Sequence, residues 1–251
     1  MRFFIQFSYF GKAYHGWQNQ PNAITVQEVL ENGMSKLLNS KVSLMGAGRT
    51  DTGVHAKEMY AHFDVDVDVL ENIEEYVFRL NSFLPNDIAV ERIFEVTEDA
   101  HARFHATART YEYHIDKKKN PFATDLAHFV KKNLDIEQMN TAAELLLGKK
   151  NFECFSKSNT DVFTNICDLR EAHWQLENDK LIFTITADRF LRNMVRAIVG
   201  TLINVGLGKY PVDYVNTILK SKDRTKAGVS VPAKGLYLTS IVYPNTILKN
   251  G

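Results

Sequence analysis

Polar and hydrophobic residues alternate at the start of the chain and then change to a helical period. Residues Arg2–Tyr9 alternate with a period of two, which is typical of a strand because successive side chains point to opposite faces. After Thr25, Leu30 and Met34 recur on one helical face. Thr25 and Glu28 also have the spacing of a capping box, in which each side chain satisfies a backbone N–H of the first turn. The chain is therefore predicted to begin with a strand and then a helix.

The same patterns predict the remaining elements. Further strands are predicted over Val42–Met45, Tyr60–Val65, Ile88–Val96, Thr107–Ile115, Leu169–Leu176, Leu181–Ala187 and Leu236–Val242. Further helices are predicted over Val69–Phe83, Ile136–Leu147, Leu191–Val205 and Val212–Leu219. This arrangement indicates the α+β class, with helices backing largely antiparallel sheets.

Composition narrows the class of protein without naming a function. The 251 residues are 45% hydrophobic and 24% charged, which is ordinary for a globular chain of one large or two small domains. No apolar run is long enough to cross a membrane, and the first residues lack the layout of a signal peptide. Cys154 and Cys167 are the two cysteines. This usage predicts reduced thiols and a cytoplasmic location, with a disulfide between the two left open.

Charge is distributed unevenly although the formal net charge is zero. Residues 58–99 contain 12 acidic and 2 basic residues, so the rest of the chain holds 28 basic and 18 acidic residues. A local basic surface for a nucleic acid is therefore compatible with a neutral total. The candidate basic clusters are Lys117–Lys119, Lys131–Lys132, Lys149–Lys150 and Lys220–Lys226.

The strongest candidate for chemistry is Asp51, in the glycine-rich run Gly46–His55. The strand predicted just before this run would place Asp51 on a loop, where a scaffold presents a side chain to a substrate. Arg49, two residues earlier, would favour the ionised carboxylate. An alternative stays open at this point, because Asp and Thr in such a run often only close a turn through side-chain hydrogen bonds.

Other kinds of site find little support in the sequence. It has no phosphate-binding glycine loop, no dinucleotide fingerprint and no metal-ligand cluster, and His101 and His105 alone have a ligand-like spacing. We therefore expect no cofactor and no metal. The triplet Asp51–Gly53 spells the catalytic triplet of aspartic proteases, but those enzymes need two such carboxylates and the chain has one. A non-catalytic RNA-binding module is the other alternative.

Landmarks spread over the whole chain resemble one family, that of tRNA pseudouridine synthase A. The run Gly48–His55 is similar to the signature that carries the family's essential aspartate. The other landmarks follow in family order: Tyr14–Gln18 with Val26–Glu28, Leu84–Ile88, Ala102–Tyr113, Phe190–Arg196 and Gly235–Leu238. Two positions depart from the family pattern: Phe10 stands where an aspartate is usual, and Thr52 where an alanine is usual.

The resemblance implies the activity and the site. It implies an isomerase that converts uridine to pseudouridine in the anticodon stem-loop of tRNA, without a cofactor. Asp51 would be the catalytic residue, acting as a nucleophile or as the base for the C2′ proton, and Arg49 would pair with it. Tyr111 would stack on the flipped base, with Leu236 on the other side of the base, and Arg196 would lie near Asp51.

The resemblance also implies how the chain is organised. It implies two similar halves that meet at a central basic cleft: residues 1–105 carrying the aspartate loop, and residues 106–251 carrying the tyrosine strand and the basic helix. It further implies a homodimer that binds tRNA. The lack of a long apolar run separately predicts no membrane partner.

Overall fold

The computed structural model describes residues 1–66, 72–157 and 163–249. The chain divides into two compact units. The first consists of Met1–Thr107 with Leu238–Gly251, and the second of Ala108–Tyr237. Each has its own antiparallel strands and its own helices, so the predicted α+β class with two similar halves is confirmed. The basic cleft stays a prediction.

The first unit is a sheet with two helices. Its elements are β1 (Arg2–Tyr9), α1 (Val26–Leu38), β2 (Met45–Gly46), β3 (His55–Asp64), α2 (Ile73–Phe83), β4 (Ile88–Glu95) and, from Leu238 onward, β10 (Leu236–Val242). The strand order is β4-β1-β3-β10, with β2 on β3. Because β1 pairs antiparallel with both β3 and β4, it is central, and Phe4, Ile5 and Phe7 are almost fully buried.

Side-chain caps start both helices of this unit. Thr25 Oγ1 accepts the Glu28 N–H at the start of α1 (3.3 Å), as the capping box predicted. Asn72 Oδ1 accepts the Glu75 N–H at the start of α2 (3.1 Å). The start predicted for α2, Val69, lies outside the described residues.

The second unit repeats the theme, with three α-helices among its described residues. Its elements are β5 (Ala108–Asp116), β6 (His128–Phe129), α3 (Ile136–Glu144), β7 (Gly148–Asn151), β8 (Ile166–Glu177), β9 (Lys180–Ala187), α4 (Met194–Gly206) and α5 (Tyr214–Ser221). The order β5-β9-β8-β7 is antiparallel, and β6 joins β5 in parallel. Asn178 and Asp179 both have positive φ and form the tight turn of the predicted β8–β9 hairpin.

Helix α4 is the centre of the second unit. Eleven of its thirteen residues are buried, in agreement with the prediction of a buried helix. The backbone of Gly228 and Val229 passes directly against it, because a Cβ on Gly200 would lie 1.9 Å from the Val229 carbonyl oxygen. This contact fixes Gly228 and Val229 beside the middle of α4.

The last segment of the chain belongs to the first unit, whereas the sequence-based division at residues 105 and 106 assigned it to the second half. Tyr243 explains the difference: its hydroxyl donates to the Ala102 carbonyl oxygen (2.6 Å), and its ring contacts those of Phe4 and Tyr60. The Ile241 N–H also donates to Glu58 Oε1 (2.7 Å). These contacts bind the last strand to β1 and β3.

Candidate active site

Asp51 lies on the loop of residues 47–54, between β2 and β3. The Val54 N–H donates to the Asp51 carbonyl oxygen (3.1 Å), and Gly53 has a φ of +76°, which glycine adopts without steric cost. Asp51 is therefore on a tight turn between two paired strands, as predicted. Its side chain is half-buried, and those of Arg49 and Thr52 are exposed.

The N-terminal segment holds this loop on both sides of Asp51. Before it, the Trp17 N–H donates to the Thr50 carbonyl oxygen (3.4 Å), and the Tyr9 hydroxyl is 2.8 Å from Thr50 Oγ1. After it, the Gly53 N–H donates to the Tyr14 carbonyl oxygen (3.3 Å). The position of Asp51 is thus fixed by residues more than thirty positions away in the sequence.

Two glycines allow these backbones to touch. Gly16 has a φ of +90°, and a Cβ on it would lie 2.3 Å from the Thr50 carbonyl oxygen. A Cβ on Gly11 would lie 1.9 Å from the Val54 carbonyl oxygen. No larger residue fits at either position unless the loop moves, so the Tyr14–Gln18 landmark has a direct structural role.

Phe10, the departure from the family pattern, packs against His55. The two rings stack with centroids 4.5 Å apart and planes 9° apart. The buried imidazole also accepts the Gly11 N–H at Nδ1 (3.0 Å). Phe10 therefore supports the end of the Asp51 loop by packing.

The Leu84–Ile88 landmark is also explained by contacts. The Tyr14 hydroxyl donates to Asp87 Oδ1 (2.5 Å), and the Phe10 N–H donates to the Asp87 carbonyl oxygen (2.8 Å). Burial, together with the hydrogen bond to Asp87, raises the pKa of Tyr14. Asp87 thereby anchors the segment that holds the Asp51 loop.

In the second unit, Tyr111 lies on β5 opposite Ile185 of β9. Its half-buried ring meets the edge of Phe190, with centroids 5.2 Å apart and planes at 88°. Such edge-to-face contacts favour one ring orientation. Two landmarks of the sequence, the tyrosine strand and the Phe190–Arg196 run, therefore meet in space.

Leu236 and Arg196 have different environments in this unit. Leu236 begins β10 and is only 5% exposed. Arg196 is half-buried on α4, where its Nε donates to the Val231 carbonyl oxygen (2.8 Å). That bond offsets part of the cost of burying the guanidinium. Arg192 is exposed and precedes α4, which begins at Met194 and not at the predicted Leu191.

An open pocket that the sequence did not reveal lies beside Arg196. It has a volume of about 450 Å³ and is lined by Lys157, Asn193, Arg196, Arg224 and Ser230. The charge of the Lys220–Lys226 cluster was visible in the sequence. The selection of Arg224 within it depends on the fold, which brings together segments that start at Lys157, Asn193 and Arg224.

Several lysines of the other basic clusters have partners within the protein. Lys117 Nζ donates to the Lys132 carbonyl oxygen (2.9 Å), and Lys118 Nζ to Asp179 (2.9 Å). Lys150 Nζ donates to the Leu145 carbonyl oxygen (2.6 Å), and burial lowers its pKa. Lys150 thus completes the C-terminal turn of α3, and contact of these clusters with RNA stays a prediction.

The cluster around His62 uses its imidazoles to bind backbone. The Ala102 N–H donates to Nδ1 of His62, the Arg103 N–H to Nδ1 of His101, and the His101 N–H to Nδ1 of His105, each at 3.1 Å. Burial is the main cause that lowers the pKa of His62 to about 4. Across residues 1–66, 72–157 and 163–249, no group of three His, Cys, Asp or Glu side chains is placed to hold a metal ion.

Two other features bear on the class of protein. Burial raises the pKa of both Cys154 and Cys167 to about 12, and neither thiol forms a disulfide. In the part of the chain that the structure describes, no helix has the length and apolar character needed to span a membrane.

Comparison with a family model identifies the class of protein to which this fold and loop belong. Residues 5–105 and 142–244 match the model of the tRNA pseudouridine synthase family, and the chain belongs to this family. The aspartic protease alternative is therefore wrong.

Individual relatives narrow the family further. The chain is 48% identical to tRNA pseudouridine synthase A of Parabacteroides distasonis over 249 residues, which cover 98% of this chain and 97% of that protein. It is 48% identical to the protein of the same name from Porphyromonas gingivalis over 248 residues, 98% of each chain. For the one from Thermoanaerobacter pseudethanolicus the identity is 42% over 241 residues, 95% of this chain and 98% of that protein. The resemblance to the tRNA pseudouridine synthase A family is confirmed.

Proposed function

We propose that this protein isomerises uridine to pseudouridine in tRNA, with Asp51 as the catalytic carboxylate. The observation that carries the proposal is the loop of Asp51, which is clamped on both sides by the N-terminal segment in a chain 48% identical to tRNA pseudouridine synthase A over nearly its full length. A reaction that depends on one carboxylate is fastest when the protein holds that carboxylate in a fixed position.

The reaction rearranges a single nucleoside. The N1–C1′ bond breaks, the base turns, C5 bonds to C1′, the C5 proton leaves and N1 gains a proton. Atoms and electrons balance without an external donor, so no cofactor is required. Asp51 serves as the nucleophile or as the base for the C2′ proton, and both roles need the ionised form.

The other site residues have supporting roles in this proposal. The target uridine leaves its stack to reach the carboxylate, and Arg49 helps fill the space it leaves. Tyr111 and Leu236 contact the two faces of the flipped base, and the Tyr111 hydroxyl takes the C5 proton late in the reaction. Arg49 pairs with Asp51, and Arg196 lies near it.

The decisive variant is Asp51→Asn, which removes the charge and keeps the shape. We expect pseudouridine formation to be abolished while tRNA affinity stays within a few-fold, because phosphate contacts dominate affinity. The measurement is pseudouridine mapping in purified tRNA, with filter binding in parallel. Thr52→Ala, a change at the exposed neighbouring position, is the matched control and keeps full turnover. Turnover of Asp51→Asn within tenfold of wild type would remove Asp51 from this role.

The substrate region, assembly and location are further parts of the proposal. We infer that the modified uridines lie in the anticodon stem-loop, that the protein acts as a homodimer and that it works in the cytoplasm. Mapping pseudouridines in cellular tRNA with and without the protein tests the first, sedimentation the second and cell fractionation the third. Modification confined to another arm of tRNA would contradict the substrate assignment even if Asp51 proved catalytic. A non-catalytic RNA-binding module would leave every uridine unchanged.

A further inference from the structure

The pocket beside Arg196 has the charge of an anion site. Lys157, Arg196 and Arg224 supply three positive charges, and Asn193 and Ser230 complete the lining. None of these five residues is acidic. Concave sites lined by one sign of charge concentrate ligands of the opposite sign.

The hydrogen bonds within the pocket use the acceptor sites of the Ser230 hydroxyl and not its proton. Ser230 Oγ accepts from Asn193 Nδ2 (2.6 Å) and from Arg224 Nη2 (2.9 Å). A serine hydroxyl has two acceptor lone pairs and one proton. Because both lone pairs are used, the proton of Ser230 is the part that a ligand can engage, and it suits an acceptor such as a phosphate oxygen.

The pocket is also fixed in shape before any ligand binds. Arg224 Nη1 donates to the Gly228 carbonyl oxygen (3.1 Å), which orients the guanidinium. The Val231 N–H donates to the Arg196 carbonyl oxygen (3.2 Å), and Arg196 Nε donates back to Val231. These bonds join the segment of Arg224–Val231 to the start of α4, where the positive end of the helix dipole adds to the charge.

We propose that this pocket binds a phosphodiester group of the tRNA strand, with Arg224 and Ser230 as its positioning residues. The inference rests on the proposed function, which supplies an RNA substrate. A guanidinium fork matches two phosphate oxygens, and a hydroxyl can donate to a third acceptor. The pocket would thus hold the strand at a fixed place relative to Arg196.

The first test removes the guanidinium. In the Asp51→Asn background, Arg224→Ala is expected to raise the Kd for tRNA about tenfold, and to make the slope of log affinity against log salt shallower by about 0.7 to 0.9. The salt series is run at fixed magnesium. The control is Lys209→Ala, an exposed cation beyond the other end of α4, which keeps the slope and a Kd within threefold. A purely structural role of Arg224 would leave the salt slope unchanged.

A second variant keeps the proposal testable if Arg224→Ala loosens the turn. Asn193→Asp keeps a hydrogen bond to Ser230 but exchanges donor and acceptor, because the new carboxylate accepts the serine proton. It also places a negative charge in the pocket. Asp tolerates the left-handed φ of +65° at this position, so we expect an unchanged melting temperature and a Kd raised at least tenfold.

The outcomes separate this proposal from the function on which it rests. The subsite is overturned if Arg224→Ala leaves the salt slope of tRNA binding unchanged and the Kd of Asn193→Asp stays within threefold of the parent. This holds even if wild-type protein makes pseudouridine. Wild-type protein that makes none, while both variants weaken tRNA binding as expected, overturns the function and keeps the subsite. Calorimetry with inorganic phosphate tests whether the pocket is a site for free phosphate and not for tRNA. If the variants lose phosphate binding but keep the tRNA affinity of the parent, the proposal is also overturned.

Discussion

The contact between Gly16 and the Asp51 loop predicts that one added methyl group disables catalysis. In Gly16→Ala the new Cβ would lie 2.3 Å from the Thr50 carbonyl oxygen, and real contacts of this kind are essentially never under 3.0 Å. The two segments must therefore separate by about 1 Å to restore an ordinary contact. Thr50 directly precedes Asp51, so the displacement reaches the carboxylate that we propose to be catalytic.

Two costs add up in this variant. The φ of +90° at Gly16 costs a residue with a side chain about 1 to 2 kcal/mol, and forcing an atom into a packed site costs about 1 to 3 kcal/mol more. We expect the free energy of unfolding to fall by about 2 to 5 kcal/mol. A misplacement of about 1 Å at a catalytic group costs about 100-fold in kcat.

The assay combines urea unfolding with pseudouridine formation at saturating tRNA. Gly208→Ala controls for backbone strain alone, because Gly208 has a φ of +68° and nothing within 4 Å of a Cβ; it should lose only about 1 to 2 kcal/mol. Gly48→Ala, with neither feature, should unfold nearly as wild type does. If kcat of Gly16→Ala stays within threefold of wild type and its stability equals that of Gly208→Ala, the contact does not position Asp51.

The remaining predictions concern Tyr111 and His62. Tyr111→Phe keeps the ring contact with Phe190 and loses the hydroxyl. Its Kd for tRNA should stay within a few-fold of wild type, while the reaction should stall after the glycosidic bond has broken or C5 has rejoined. Undiminished turnover would return Tyr111 to a packing role. The folded pKa of His62, about 4, lies below that of the unfolded chain, so its contribution to stability is present above pH 6.5 and is lost as pH falls towards 4. The loss is at most about 3 kcal/mol, and urea titrations at pH 7 and pH 4.5 should show a smaller pH dependence in His62→Asn.

Local signals predicted most elements of the fold. Strand β1 and the cap of α1 follow from patterns contained within a few residues. The strand predicted over Val42–Met45 was largely wrong, because only Met45 is in a strand. The Val42 N–H donates to Ser35 Oγ and the Leu44 N–H to Glu31 Oε1, so side chains of α1 take the bonds that a neighbouring strand would have received.

Helix ends were harder to predict than helix positions. Helix α3 ends at Glu144, whereas the sequence predicted Leu147. Lys150 explains the early end, since its ammonium group binds the Leu145 carbonyl oxygen. Strand β7 then begins at Gly148, which has a φ of +89°. Capping of a helix end by a side chain five residues further on is not visible in a periodic pattern.

The site shows the same division between local and distant information. A motif of ten residues singled out Asp51 as the candidate carboxylate, and its place on a turn between β2 and β3 was predictable from the same motif. Its catalytic role stays a prediction. The clamp formed by Tyr9, Gly16 and Trp17 depends on contacts across more than thirty residues. The Arg224 pocket likewise depends on how α4 meets residues 228–231. Both arise from packing, which spacing along the sequence does not encode.

The return of the last strand to the first unit affects how the protein is made. The second unit is one continuous stretch, Ala108–Tyr237, and can fold as soon as it leaves the ribosome. The first unit must wait, because the edge of β3 that receives β10 stays open until the final residues emerge. At 5 to 20 residues per second the intervening 130 residues take roughly 7 to 26 s to synthesise. During that time the aspartate loop lies in an unfinished sheet with an exposed edge, the stage at which a nascent chain is most open to wrong strand pairing.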